Sequence, residues 1–401
     1  MFILFLVISV ASCVKSTTYI DINPHIETPI YDTRPLSEQM EMIDLLDLGD
    51  RPRRQAQPNL HNSASKFLLE VYNEINEGQE PEEVLHQRHK RSLDDDILIS
   101  NGDRQEIASC NSILTFSSRV KPGDHANDLD LQITFNTNDV PVDLALVQAM
   151  LRVYKQESLV DRRDNLTVSV YRRLDNRQDF SYQILGSVNT TTSHRGWLEF
   201  NLTPTLRAWL QQGRSPQQRH ELRFSIGDSH LSTFAAGLVP PAASRSSQEP
   251  FIVGYFNGPE LLVKVQKLRF KRDLQKRRAN SPPPKRPPPP PMDLYKPPQS
   301  CERLNFTVDF KELQMHNWVI APKKFEAYFC GGGCNFPLGT KMNATNHAIV
   351  QTLMHLKQPH LPKPCCVPTV LGSITILRYL SEDIIDLTKY QKSVAKECGC
   401  H

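Results

Sequence analysis

The sequence predicts a chain in two parts. An α+β N-terminal part has helices ahead of an antiparallel β domain, and a small, mainly β C-terminal module with one helix is held by disulfides. Three observations carry this reading. Seven of the nine cysteines fall in residues 301–401. Apolar residues in the N-terminal part recur first every three or four positions and later every second one. Between the two parts lies a junction rich in proline and basic residues.

The cysteines fall as C-x28-C-x3-C-x30-CC-x31-C-x-C, from Cys301 to Cys400. Two short spacings, Cys330 to Cys334 and Cys398 to Cys400, lie far apart in sequence, so joining them twice would close a small covalent ring. A third bridge could then thread it. Six cysteines allow 15 pairings, so spacing alone leaves the connectivity open, and an odd seventh in an exported chain points to a bond with a second chain. Export is expected from residues 2–11 (FILFLVISVA), a short apolar run before small residues, with a signal peptide placed at 1–16. In an oxidising compartment such cysteines read as disulfides, and the C-x2-C pairs of structural zinc sites are absent from the sequence. No metal or cofactor is therefore expected.

The module resembles the transforming growth factor beta superfamily, in its bone morphogenetic protein branch. The resemblance rests on the cysteine spacing and on four stretches: NWVIAP (317–322), MNATNHAIVQTL (342–353), PKPCCVP (362–368) and the ending CGCH (398–401). It implies a cystine-knot growth factor that forms a disulfide-linked dimer. The implied pairing is Cys301 with Cys366, Cys330 with Cys398 and Cys334 with Cys400. Cys365 would bond its counterpart in the partner, and Gly332 would stand where the third bridge passes.

The resemblance also implies two receptor surfaces and no chemistry. Type I serine/threonine kinase receptors would meet a concave surface of Trp318, Phe336, Pro337, His347, Val350 and Leu353. Type II receptors would meet a convex one of Ala321, Pro322, Thr375 and Leu387. Packing within the fold is the competing reading of each, about even for Trp318 and Phe336 and preferred for Leu353. Arg378 occupies a second-finger position that is usually aromatic, and Met315 stands where relatives have a further tryptophan.

Further elements follow in chain order. Residues 17–272 read as a prodomain, helical over 30–80 and a β arm domain over 104–268. Leu36, Met40, Ile43 and Leu46 predict one amphipathic helix, and Phe67, Val71 and Ile75 a second over 65–75. On periodicity alone both would simply cover a domain core. Their order and sequence resemble the helices of family prodomains, and the resemblance implies contact with the growth factor, the preferred reading. Alternation at Leu129, Leu131, Ile133 and Phe135, at Leu166, Val168 and Val170, and at Leu261, Val263 and Val265 predicts strands. Trp197 to Leu210 should pass from strand into a short helix. Cys110 stands alone, with Cys13 a mate only if a signal is cut after Ala11.

Three basic tetrads, RPRR (51–54), RHKR (88–91) and RFKR (269–272), have the form that furin-type convertases cut. RFKR, with Arg269, Lys271 and Arg272, separates the two parts and is the preferred site. Residues 273–300 hold five consecutive prolines and read as an extended polyproline II arm. The arm's basic excess makes sulfated matrix polysaccharide a secondary partner. Sequons stand at Asn165, Asn189, Asn201, Asn305 and Asn343. Leu304, Phe306, Val308 and Phe310 predict one continuous strand that turns Asn305 to its other face. In the module itself, 301–401, a helix is expected over 344–356 with Ile349, Leu353 and Leu356 on one stripe. The resemblance implies that this helix packs against the concave face of the partner subunit, so that the stripe is interface as well as core.

A formal net charge of only +3 gives no case for a nucleic-acid partner. The sequence carries no H-E-x-x-H, G-x-S-x-G or phosphate-binding glycine loop, so an enzyme is not expected. The leading expectation is a secreted dimeric ligand, a homodimer or a heterodimer with a related subunit, that also contacts its own prodomain and secreted antagonists and that activates Smad signalling in development. A secreted cystine-knot antagonist is the alternative.

Overall fold

Alternating apolar residues build most of the molecule in the computed structural model, which describes residues 19–23, 26–29, 62–77, 99–120, 131–158, 165–175, 180–212, 219–227, 231–239, 248–258, 298–313 and 315–401. The expected signal peptide, the helix at 36–48, the strand at 261–265, all three basic tetrads and most of the proline arm lie outside the described residues.

A short hairpin, β1 (Tyr19–Asn23) and β2 (Ile26–Pro29), precedes helix α1 (Ser63–Glu77). Helix α2 (Asn101–Ser109) follows and leads directly into β3 (Ser112–Ser117) and β4 (Arg119–Val120). The β domain continues with β5 (Gln132–Phe135), β6 (Ala145–Lys155), β7 (Asn165–Asp175), β8 (Phe180–Thr191) and β9 (Gly196–Asn201). Helix α3 (Thr203–Gln211), β10 (His220–Ile226) and β11 (Phe251–Asn257) complete it.

Period two decides which side each strand buries. Leu131, Ile133 and Phe135, and Leu166, Val168 and Val170, enter one core between a five-stranded sheet (order β4-β5-β10-β7-β8) and the inner face of a second sheet. Leu114 and Phe116 of β3 and Ile252 and Phe256 of β11 close that core from the other side, with Leu206 and Trp209 of α3. Trp197 to Leu210 passes from strand into helix, with Pro204 in the first turn, where its missing N–H costs nothing. Helix α2 occupies the expected start of the β region. Its signal is local: Ser100 accepts from the Asp103 N–H while Asp103 accepts from the Ser100 N–H, a reciprocal cap.

The intervening residues of the same strands, Ile113 of β3 and Phe251, Val253 and Tyr255 of β11, face α1. Ala64, Phe67, Leu68 and Val71 of α1 are all buried there. Phe67 lies 5.8 Å from the Phe251 ring and beneath the Arg152 guanidinium, 5.0 Å from its centroid. Arg152 is buried with Asp103 and also pairs with Glu199 at 2.8 Å, so a charge cluster sits under the helix. The Tyr255 hydroxyl donates to Asp103 as well, and burial together with that carboxylate pushes its pKa far up.

The cysteine module opens with β12 (Glu302–Leu304) and β13 (Thr307–Asp309), then β14 (Val319–Ala321), β15 (Lys324–Glu326) and β16 (Phe329–Gly331). Helix α4 (Asn346–Lys357) and the long hairpin of β17 (Cys366–Tyr379) and β18 (Ile384–Cys400) follow. The single strand expected through Leu304 to Phe310 is broken at Asn305 and Phe306. The Phe306 carbonyl accepts from both Ala327 and Tyr328, and Tyr328 has a φ of 52°, so the facing strand kinks. Phe306 consequently points outward against Phe329, and Asn305 is exposed beside it.

The second sheet has the order β14-β17-β18-β3-β11-β6-β9, so strands of both parts form one sheet. Strand β18 runs antiparallel to β3, from Ile384 opposite Phe116 to Thr388 opposite Ser112. Truncating Phe67 to alanine should destabilise the chain by about 3–5 kcal/mol, the usual cost for a fully buried ring. Denaturant unfolding would read this as a lower midpoint; a change below about 1 kcal/mol would show that α1 is not part of this core.

Candidate functional site

Three disulfides define the C-terminal module among the described residues: Cys301–Cys366, Cys330–Cys398 and Cys334–Cys400. Their Cα–Cα distances of 5.4, 5.6 and 5.8 Å suit unstretched bridges. The last two join segments 330–334 and 398–400 into a ring. Cys366 Sγ lies 3.5 Å from the Gly331 carbonyl, which sets the remaining bridge against that ring. Gly332 has a φ of 108°, and a Cβ there would stand 2.0 Å from the Ser300 carbonyl oxygen. Both the backbone angle and the space therefore require glycine at this position.

The sulfurs of Cys301, Cys334 and Cys400 lie within 4.8 Å of one another, a spacing that would suit a metal. Each is bonded to another sulfur, so none offers a thiolate. Cys365 lies outside these bridges, half-buried, and its backbone exchanges two hydrogen bonds with His401. Cys110, at the end of α2, is also outside them, and burial pushes its thiol up to about 11, so it is protonated at neutral pH.

Helix α4 begins at Thr345, whose side chain accepts from the Ala348 N–H, and ends before the prolines at 359 and 362. Its buried residues are Ala348 and Thr352. Ile349, Leu353 and Leu356, the stripe expected to be interface as well as core, face outward, and Leu353, for which packing within the fold is the preferred expectation, is 47% exposed. The small core under the helix holds Met342, Ala348 and the knot cysteines, and none of the stripe residues belongs to it. Val350 and Met354 extend the outward apolar face, and His347 is exposed on the same helix. Phe336 is 58% exposed with Pro337 exposed beside it.

Trp318 stands apart from these residues. It is 4% exposed and belongs to the cluster that includes Phe67, Leu68 and Val71 of α1. Leu387 is 2% exposed in the same cluster and Thr375 is buried, while Ala321 and Pro322 are half-buried. The expected convex surface is thus largely covered in the full chain, because α1 packs on β17 and β18 as well as on β3 and β11. Burial pushes the Tyr379 hydroxyl up in the same cluster.

The sequons of the β domain are exposed at Asn165, Asn189 and Asn201. Asn189 accepts from Thr167 at 2.9 Å, so two sequons lie side by side across the β7–β8 hairpin. Asn343 is exposed with a φ of 40°.

Sequence reasoning singled out Arg378 but missed its partner. Arg378 Nε donates to Asp386 Oδ2 at 2.9 Å, and both side chains are buried. Asp386 Oδ1 accepts from Thr388 at 2.7 Å and from Ser112 of β3 at 2.9 Å. Nothing in a linear reading links residues 112 and 386. At the turn of the β17–β18 hairpin, Arg119 pairs with Asp383 at 2.6 Å and Glu382 at 3.0 Å.

An α+β domain joined through a common sheet to a cystine-knot module defines a growth-factor precursor with its propeptide. Residues 32–255 match the TGF-beta propeptide and residues 300–400 the transforming growth factor beta like domain, so the chain belongs to the transforming growth factor beta family. It is 83% identical over 397 residues to Protein screw of Drosophila melanogaster, covering 99% of each chain. Protein 60A of the same species is 33% identical, over 91% of this chain and 87% of that one. Bone morphogenetic protein 8A of Homo sapiens is 30% identical, over 90% and 89%. The chain is a growth factor of this family and not an enzyme. Among the described residues no helix is long and apolar enough to cross a membrane.

Replacing Gly332 by alanine should block native disulfide formation. Peptide mapping without reduction should find Cys301–Cys366 lost or scrambled in the variant, and a native map at native yield would contradict the packing described.

Proposed function

We propose that the chain is the precursor of a secreted dimeric ligand of the bone morphogenetic protein type. A convertase cut after Arg272 releases residues 273–401. The ligand then brings type I and type II serine/threonine kinase receptors together and so activates Smad signalling. The observation that carries this reading is the outward apolar face of α4, with Ile349, Val350, Leu353, Met354 and Leu356, beside a disulfide knot that does not need it. Apolar side chains exposed together on one helix mark an interface. A second copy of the module is the occupant proposed, with Cys365 as the covalent link between copies. The family relationship supports the same reading.

Trp318, Thr375 and Leu387 are buried with the propeptide in place. Receptor engagement through them therefore requires α1 and β3 to leave, and the precursor is held inactive until they do. Phe336, Pro337 and His347 are exposed on a single chain, are not among the residues given to the second copy, and are assigned to type I receptor contact. Glycans are assigned to the exposed sequon residues, Asn305 and Asn343 of the ligand included.

Expression in secretory cells tests the reading. The medium should contain a fragment beginning at Asp273 that halves in apparent mass on reduction and raises a Smad-phosphorylation reporter. A monomeric fragment that lowers the response to another ligand would instead make the chain an antagonist.

A further inference from the structure

The shared sheet contains one charged residue whose environment is divided between the two parts of the chain. Asp386 is 2% exposed and Arg378, its cross-strand register partner, 3%. Arg378 binds one carboxylate oxygen, leaving the other to hydroxyl donors. Thr388, from the same strand, supplies one at 2.7 Å, and Ser112 of the propeptide supplies the second at 2.9 Å. Ser112 and Thr388 are themselves register partners, with their hydroxyls 2.9 Å apart. The four side chains thus form a row across β17, β18 and β3.

Backbone pairing at a sheet edge is indifferent to sequence, so an edge such as that of β18 accepts any extended strand. A buried carboxylate is not indifferent. Removing one of its donors leaves part of its charge less well satisfied and out of reach of water, even with Arg378 and Thr388 still bound, and this costs more than losing a neutral hydrogen bond. We propose that the Arg378–Asp386 pair makes the β18 edge selective for a propeptide strand that presents a hydroxyl where Ser112 stands. The growth factor therefore accepts its own propeptide strand and disfavours one with an apolar residue at that register position. The ion pair acts as a selectivity element that is fully satisfied when the matching strand is in place. This inference rests on strand pairing within the chain and is independent of receptor binding or of convertase cleavage.

Amide hydrogen exchange on the full-length secreted chain tests it, with peptides covering 112–117 and 384–388 as the readout and peptides of β7 as the internal reference. The same strands report whether or not the chain has been cut. Hydrogen bonds to charged groups contribute about 1.5–3 kcal/mol, so Ser112→Ala should speed exchange in both segments by about 10- to 100-fold. Ser112→Thr should restore it to within about threefold. In a chain that also carries Arg378→Leu and Asp386→Leu, Ser112→Ala should change exchange by less than about threefold, since no charge remains to be satisfied. Where that double variant is not secreted, Asp386→Asn replaces it, and the Ser112→Ala effect should fall below about tenfold. An equal effect of Ser112→Ala with and without the charge, or an effect under about threefold in the native background, would overturn the proposal.

Discussion

The antiparallel pairing of β18 with β3 is the interaction on which the rest of the structure depends. Without it the finger hairpin would end in an open edge, and the propeptide sheet would begin with one. With it, one sheet of seven strands runs from the growth factor into the propeptide, and α1 can lie across the seam. Because β18 alternates, Ile385 and Leu387 join the α1 side while Ile384 and Asp386 join the other. A slip of one residue would exchange those sets and drive the charge of Asp386 under α1.

The two parts solve the problem of stability differently. The propeptide has an ordinary core, with two sheets packed through Leu, Ile, Val and Phe. The growth-factor module shares the layer beneath α1, through Trp318, Ile376 and Leu387 among others, and has little core of its own. Its own cluster is small and consists largely of the knot cysteines, so three bridges closing loops of 65, 66 and 68 residues stand in for a core. Each such bridge contributes about 2–5 kcal/mol. That covalent frame leaves helix α4 with its larger apolar side chains facing outward.

How much of this was legible in the sequence follows from the range of the interactions. The cysteine spacing, the α1 stripe at Phe67 and Val71, the alternation at Leu166 to Val170 and the passage from strand to helix after Trp197 are local patterns, and the fold class follows from them. Helix α2 escaped a periodicity search because Asn101–Ser109 has almost no apolar stripe; only the cap at Ser100 and Asp103 marks it. The family resemblance alone marks the stripe at Ile349, Leu353 and Leu356 as interface as well as core. Periodicity shows that a helix has an apolar face but not what that face meets, so the outward turn of Leu353 was missed. The burial of Trp318 and Leu387 depends on α1 and β3, far away in sequence, and the contact of Ser112 with Asp386 spans 274 residues. No window-based reading can register them.

The shared sheet and its covering helix are tested most directly by hydroxyl-radical footprinting of the intact full-length chain. Tyr379 and Leu387, buried beside α1, should be modified far more slowly than Tyr182 and Phe329, which are 40% and 37% exposed. Modification of Tyr379 and Leu387 at the rate of those exposed residues would mean that the propeptide does not cover the fingers, and would contradict the account.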